Sequence, residues 1–547
     1  MSTDDKTGVR VRWLVTGAFT ASPSGRRFTV TPSGFASILE ATGLKVDASV
    51  PDRLGAGATH AYSVGFGSLK AFQASELIAS VPALAGLTAL GAALAQTDAS
   101  KRPDPVTAVA KVIELVGDGK LAAALKAKLN VVPPAAAAPT APAPAPAATS
   151  LDALLSGDST PLAPPSAGTA VSSFLKAMRG PSTTATQPAA GRSARDVIEA
   201  EVYGTAVDLL KSPEVSRLES AWRSLKLLVD QCPENAGIQV EVVDTDAEGT
   251  LGAIRAALPE VPEDEAPDAI FVFDAVDDPE RLLALANVGA DNDIPVVAAV
   301  TSAVFGQKDA HAVAARIEDE DGSLPSAWAA LRDDEAARWL AVTSNRPVVR
   351  TEGTGALRRV VFGSPVAALG AMLSASYHKS GAFAKIIGPQ GALKAAGSYE
   401  LPSGRDAGTL VPTEAFYSIR AQSRLGELGI IGLGSGRNSD AIILSTMPTA
   451  RKGDDVVPLS AQVLTGRVVR FARWVLAQLP PGAEEPEVKL MFEQAAAVFL
   501  FPTAQEAARL EAQVVSQNGQ RTVVLSVSAR ADLAGIPFHL GFGLPLK

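Results

Sequence analysis

Chemistry in a chain of 547 residues needs nucleophiles, acid–base pairs or metal ligands at workable spacing, and few positions qualify. The four histidines, His60, His311, His378 and His539, lie far apart, and no pair has the spacing that holds a metal ion. The single cysteine, Cys232, excludes an intrachain disulfide and a cysteine-based zinc site, and reads as a small core residue. DKTG, Asp5 to Gly8, echoes the phosphorylation motif of cation-pumping ATPases, but it sits in a polar tail and reads as chance. GIIGLGSGR, Gly429 to Arg437, is glycine-rich. A dinucleotide loop needs G-x-G-x-x-G between a strand and a helix; here the third glycine comes too early and NSDAIILS continues as a strand, so the stretch reads as a flexible hairpin or loop. EDEDG, Glu318 to Gly322, has Trp328 where a calcium loop needs a glutamate. Lys45 and Lys70 each follow a leucine, not the aspartate of a lipoyl hairpin, and neither a nucleophile elbow nor a Walker sequence is present. The expectation is a protein that is not an enzyme, with no catalytic, metal or cofactor-binding residues and no cofactor.

The elements that would position any such groups come from a chain that is 47% hydrophobic and only 20% charged, ample for buried cores and long enough for several domains. A net charge of −9 argues against nucleic acid or an anionic membrane as partner. The polar start MSTDDKTGVRVRW lacks the pattern of a signal peptide. The most apolar helical stretch, Leu77 to Leu94, is broken by Pro82 and two glycines and reads as a buried helix, not a membrane span. No direct membrane insertion is expected, and the default location is the cytoplasm.

The fold class reads as α/β with some α+β character, in three parts. Residues 1–130 form a small α/β domain. In VRVRWLVTGAF, Val9, Val11, Trp13 and Val15 share one face of a strand. RFTVTPSGFASILEATG reads as strand, turn and helix with Ser33 as N-cap, AYSVGFGSLKAF as strand and turn, and Ser75 to Leu129 as two helical runs. Residues 131–192 are a low-complexity linker. Its core, VVPPAAAAPTAPAPAPAATS, favours polyproline II, and roughly sixteen such residues reach about 50 Å. The linker holds two apolar islands, LDALL (Leu151 to Leu155) and VSSFLKAMR, the second with Val171, Phe174, Leu175 and Met178 on one helical face.

Residues 193–547 form a larger α/β domain. ARDVIEAEVYGTAVDLLKSPEVSRLESAWRSLKLLVDQC is helical, with Pro213 opening its second helix. IQVEVVDTD, DAIFVFDAV and IPVVAAV are strands alternating with helices, which implies a partly parallel, mixed sheet. FGSPVAALGAMLSASYHKSG is helical, and PTEAFYSIRAQSRLGELGIIGLGSG reads as strand, helix, strand. QRTVVLSVSARAD alternates, with Val523, Leu525, Val527 and Ala529 on one face. Residues 1–130 hold 14 Lys+Arg and 10 Asp+Glu, a balance of +4 that leaves −13 for the rest, and opposite signs favour docking of the two parts.

SPEVSRLESAWRSLKLLVDQ, Ser212 to Gln231, resembles a helix of the large sheath subunit of bacterial type VI secretion systems, the TssC or VipB family. The resemblance rests on Pro213, Glu214, Leu218, Glu219, Ala221, Trp222, Arg223, Leu225, Leu228 and Val229. Leu218, Trp222, Leu225 and Val229 also form an apolar helical stripe in their own right, so they are the expected core of this motif helix. VPTEAFYSIRAQSRLGELGIIGL looks like a second segment of that family through Pro412, Thr413, Glu414, Leu425 and Gly429. Ahead of it, VRVRWLVTGAF, FASILEATGLKVDASVPDRLG and VGFGSLKAFQASELIASVPALAGL are similar, in order, to the small sheath subunit, TssB or VipA. The chain departs from that pattern at Ala18, where the family has aspartate, and in AFQA.

The resemblance implies a natural fusion of small and large contractile-sheath subunits, a structural protomer that stacks helically around an inner tube. Its implied partners are further copies of itself, an Hcp-like inner-tube protein, a baseplate and a ClpV-like AAA+ disassembly ATPase, in a bacterial cytoplasm. Neighbouring protomers of the family complete one another's sheets, and unpaired strand edges suit such addition. The strand candidates are Val9, Val11, Trp13 and Val15 near one chain end, and Val523, Leu525, Val527 and Ala529 near the other. The island with Val171, Phe174, Leu175 and Met178 is the candidate ATPase-recognition helix. A non-contractile sheath-like assembly or adaptor is the alternative, and a multidomain enzyme stands behind it.

Overall fold

The computed structural model describes residues 10–131, 189–258, 265–319, 324–353, 358–453, 456–480, 482–501, 508–517 and 520–546. Val9, most of the proline–alanine linker and both apolar islands, with Val171, Phe174, Leu175 and Met178, lie outside them.

Short runs of β-branched and aromatic residues, closed by turns or helix starts, become strands. The N-terminal segment supplies β1, Val11–Gly17, and β2, Arg27–Val30; β3, Lys45–Pro51, and β4, Thr59–Gly65, form a separate antiparallel pair. The long segment supplies β5, Ile238–Asp244, β6, Ala269–Ala275, β7, Val296–Ala299, and β8, Leu340–Ser344. β9, Val348–Glu352, pairs with β10, Arg359–Phe362. After the short β11, Leu393–Lys394, β12, Tyr399–Glu400, and β13, Leu410–Val411, comes β14, Ile430–Gly432. β15, Gly434–Ser435, and β16, Ala441–Ile443, follow as a hairpin. The chain closes with β17, Ala508–Gln517, β18, Gln520–Ala529, and β19, Phe538–Pro545.

Seven of these make one sheet in the order β14-β8-β7-β6-β1-β5-β2. Every neighbouring pair is parallel except β2 with β5, so the sheet is mixed. Helices cover both faces, as parallel strands require. Trp13, Val240, Phe271 and Val297 face one layer, where the helices Ala189–Lys211, Pro213–Val229 and Pro365–Ser380 lie with the helices of the N-terminal segment. Leu14, Ile270, Val296 and Val342 face the other, with the helices Pro279–Asn292 and Ile419–Glu427. A third core joins the helices Leu459–Gln478 and Glu485–Ala495 to the antiparallel sheet β17-β18-β19.

The parallel strand–helix alternation of the long segment is as expected. Several local expectations change. Gly34, not Ser33, is the N-cap of the helix Phe35–Ala41; the Ser33 hydroxyl instead donates to Glu234 Oε1 at 2.6 Å. Helix begins at Ala189, inside the stretch assigned to the linker. PTEAF contributes only an isolated bridge, Thr413 with Pro347, and no strand. The glycine-rich stretch is packed: a Cβ on Gly434 would lie 1.9 Å from Gln422 Nε2. The stretch Leu77 to Leu94 falls in two helices, Ala74–Ser80 and Pro82–Leu94, bent by 100°, with Leu84 and Leu87 buried. No single described helix is long and apolar enough to cross a membrane; this bent pair passes by length and composition only.

The N-terminal segment does not close a sheet of its own around β1. Its first two strands belong to the sheet of the long segment, and the helix Lys120–Lys128 lies against the helix Ala189–Lys211, so both sides of the linker depart from one packed layer.

Candidate assembly interface

Where the two segments meet, aromatic residues do most of the packing. Trp222 is fully buried on the Pro213–Val229 helix, with the rings of Phe19, Phe28 and Phe35 at 5.4, 6.3 and 5.8 Å. Its Nε1–H donates to the Phe19 carbonyl at 2.8 Å, which answers the indole's one polar demand. All three phenylalanines come from the N-terminal segment, the tryptophan from the long one. The converse holds at Trp13 of β1, which packs on Phe271 and Phe383 and donates from Nε1 to Ser374 Oγ at 2.9 Å. At the end of β1, Asp244 accepts from the Phe19 and Thr20 amides and from the Thr20 hydroxyl, and so fixes the turn out of the strand.

A buried ionic cluster crosses the same junction. Glu219, with no exposed surface, accepts from Arg223 Nε at 2.7 Å and from Arg359 NH1. Arg359 also reaches Glu352 Oε2 and the Phe72 carbonyl, each at 2.8 Å. Arg223 donates to the Leu69 carbonyl at 3.2 Å, and the Ala74 amide donates to Glu352 Oε1 at 2.9 Å. Two guanidinium groups and two carboxylates balance, and three of their hydrogen bonds tie down main chain of residues 69–74. Burial lowers the pKa of Arg223; for Arg359 burial acts in the same direction but is outweighed by Glu219 and Glu352, so its pKa rises. Nearer the surface Arg27 pairs with Glu241 and Arg53 with Asp208, basic groups of the first segment on acids of the second.

The C-terminal unit meets the main sheet at a buried carboxylate. Asp268, just before β6, accepts from the Arg12 amide at 2.9 Å, from Arg467 NH1 at 3.0 Å and from Arg470 NH2 at 2.7 Å. Both arginines lie on the Leu459–Gln478 helix and are buried. Arg470 also donates to the Asp293 carbonyl at 2.8 Å, at the C-terminal end of the Pro279–Asn292 helix, where partial negative charge favours a cation. Gly466 allows this approach, since a Cβ there would lie 2.1 Å from Asp293 O.

The residues singled out in the sequence are distributed as follows. Leu218, Trp222, Leu225 and Val229 lie together in the core that joins the segments. Val11, Trp13 and Val15 do not form a free strand. β1 has β5 on one side and β6 on the other, with both its edges used and both its faces covered. Val523, Leu525, Val527 and Ala529 are likewise interior, because β18 is the middle strand between β17 and β19. Alternation marks a buried face and carries no information about edges. A proline at Val11 or Leu525 therefore breaks a ladder inside the fold and cannot test assembly alone. The strands with an open edge in the C-terminal sheet are β17 and β19. Cys232 is buried, its thiol pushed up to about 12 mainly by desolvation, and inert as a nucleophile. No cluster of metal-ligating side chains occurs among the described residues.

Sequence reading missed Asp268, Glu352, Arg359, Arg467 and Arg470. One signal was available: LSAQVLTGRVVRFARWVLAQ carries Arg467 and Arg470 three apart in an otherwise apolar helix, and charged residues on a buried face need a partner.

The model of the VipB family, described as EvpB/VC_A0108, tail sheath N-terminal domain, matches residues 269–451. The match runs from β6 to the approach of the Leu459–Gln478 helix and does not reach the Trp222 helix or the N-terminal segment. A comparison with curated proteins found no match. Among solved structures, similarity extends to a chain of the anti-feeding prophage baseplate, with 13% identity over 54% of this chain and 70% of that one and a TM-score of 0.33. A chain of the contracted helical sheath of the anti-feeding prophage gives 14% identity, 54% and 71% coverage and a TM-score of 0.31. The contracted sheath complex of the extracellular contractile injection system PVC gives 11%, 59% and 77%, and 0.34. Over residues 269–451, then, the chain is similar to the N-terminal domain of VipB-type tail sheath proteins.

Proposed function

We propose that the protein is the repeating structural unit of a contractile sheath of the type VI secretion kind. In this reading residues 1–130 take the part of the small subunit and residues from 193 onward that of the large one, joined covalently. The observation that carries it is the match of residues 269–451 to the tail sheath N-terminal domain. The first strand of that stretch, β6, lies beside β1, so sheath-like sheet and N-terminal segment are parts of one body. Fusion fixes the ratio of the two parts at one to one and raises the effective concentration of each for the other.

Copies would stack helically in the bacterial cytoplasm around an Hcp-like inner tube, starting from a baseplate. Contraction is then a change between two packings of rigid protomers, which calls for no reaction centre. A ClpV-like ATPase would take the contracted form apart through the segment with Val171, Phe174, Leu175 and Met178. Strand addition between copies would use the open edges of β17 and β19.

Electron microscopy of the purified protein tests this. Helical tubes or stacked rings are expected; a strictly monomeric particle under all assembly conditions sinks the proposal. Edge pairing has its own test. Gln513 and Val514 are neighbours on β17, so one of the two turns its N–H away from β18. Proline at that position should leave the monomer's unfolding midpoint within a few degrees of the original and abolish tubes. Normal tubes from that proline variant would reject strand exchange at β17. The fusion is tested separately: residues 1–131 and 189–547, expressed together as two chains, should copurify at one to one. Two independently soluble chains that never associate would overturn it.

A further inference from the structure

A groove of about 250 Å3 lies between the end of the Pro365–Ser380 helix and β11, beside Gln231. Met372 and Leu393 are buried at its floor. Its rim is basic. Lys379, Lys385 and Lys394 line it, all three are exposed, and no acidic side chain lines it with them. Lys394 stands 3.5 Å from Asp440, both largely exposed, and Asp532, near Lys385, is held mainly by Arg530. The ammonium groups of Lys379 and Lys385 make no hydrogen bond or ion pair among the described residues. In the same loop Ile387 is 43% exposed. The net charge of the chain is −9, yet here the fold holds three like charges together against their own repulsion, which an acidic group from elsewhere relieves.

A surface of opposite character stands on the C-terminal unit. The Glu485–Ala495 helix opens with Glu484, Glu485 and Glu487, all exposed. Glu484 and Glu487 cap the helix reciprocally, each taking a backbone amide. Glu485 makes no hydrogen bond or ion pair among the described residues, and Lys489, one turn on, reaches Glu493 at 3.9 Å. Leu490 follows Glu487 by three residues, on the same outward face, and is 54% exposed. Groove and helix start are therefore complementary in charge, and each carries an exposed aliphatic side chain. No ion pair joins the two within the protomer among the described residues.

We propose that the groove receives the acidic start of the Glu485–Ala495 helix from a second copy of the chain, with its carboxylates on the lysines and Leu490 against Ile387. The inference rests on the sheath reading above and names two faces through which copies meet. Because the two faces differ, the contact is heterologous. A pairing of like faces stops at two copies, whereas this one leaves a groove open at one end of any row and a helix start at the other, and so extends as a ring or an open helix.

Sedimentation and electron microscopy of the full-length protein at low ionic strength test the contact. Lys379→Glu with Lys385→Glu reverses the groove, and Glu485→Lys with Leu490→Lys reverses the helix face. Each double variant alone should raise the protein concentration needed for tubes or rings by roughly tenfold or more. Lys452→Glu, an exposed change elsewhere, should leave it as it was. An equimolar mixture of the two double variants should recover the original behaviour, because each groove then meets a helix of opposite charge. All the substituted side chains are exposed, so unfolding midpoints should match that of the unaltered protein. Where one does not, Lys379→Gln and Leu490→Gln take the place of the reversals, each with a smaller rise in the same direction. Assembly indifferent to both reversals overturns the contact and leaves the sheath reading standing. Two defects that the mixture does not repair also overturn it. So does a defect confined to the groove variant, which gives the groove to a different acidic partner. Absence of assembly in the unaltered protein removes the sheath reading and this contact together.

Discussion

Trp222→Ala should destabilise the folded chain by about 3–5 kcal/mol, the range for deleting a large aromatic side chain from a core. The indole touches the rings of Phe19, Phe28 and Phe35, so its removal leaves three phenylalanines facing a void. The Phe19 carbonyl also loses its donor. The second term is separable. Trp222→Phe keeps most of the apolar contact and gives up the 2.8 Å hydrogen bond, so it should cost nearer 1–3 kcal/mol. Equilibrium unfolding in urea measures both, through the shift in midpoint at constant slope. A shift below about 1 kcal/mol for the alanine variant would show that this contact does not hold the segments together. A fall in slope with the shift would show that the N-terminal segment separates before the rest unfolds.

Glu219→Ala should cost a similar amount, about 3–5 kcal/mol, for a different reason. Arg223 would lose its only carboxylate partner among the described residues, at 2.7 Å, while 10% exposed. Arg359 would keep Glu352 but lose its contact with Glu219. The expense lies in stranded charge more than in lost attraction. The double variant Glu219→Leu with Arg359→Met should therefore be less damaging than the sum of its two single changes, a coupling that a double-mutant cycle reads directly. Strict additivity would mean the cluster is solvated and not buried as described.

Much of the α/β order was legible, because it is encoded locally. IQVEVVDTD, DAIFVFDAV and IPVVAAV are each long enough and apolar enough to be strands in any surroundings, and they are β5, β6 and β7. SPEVSRLESAWRSLKLLVDQ carries its own helix start in Ser212 and Pro213, and the Ser212 hydroxyl does accept from the Val215 amide. β1 was legible as a strand but not as the middle of a sheet. Alternation drew attention to Val11, Trp13 and Val15, while Leu14 and Thr16, just as buried, pointed the other way. A strand apolar on both faces is the mark of an interior position, and that mark sits in five residues whose partners lie more than two hundred positions away. The ionic residues were harder still. Nothing near Asp268 says that Arg467 and Arg470 will meet it, since the encounter depends on how the Leu459–Gln478 helix crosses the sheet.

The central place of β1 has a consequence in time. Val11 pairs with Ile238 and Trp13 with Ala269, so β1 leaves the ribosome ahead of partners 227 and 256 residues behind it. At elongation rates of about 5–20 residues per second that is a delay of roughly 10–50 s. Throughout it, an apolar strand with both edges open stays without its partners. The nascent chain is thus most exposed to wrong pairing with its polysome neighbours just before its own second half arrives. If the protein assembles as proposed, that association has to be postponed until translation is nearly done.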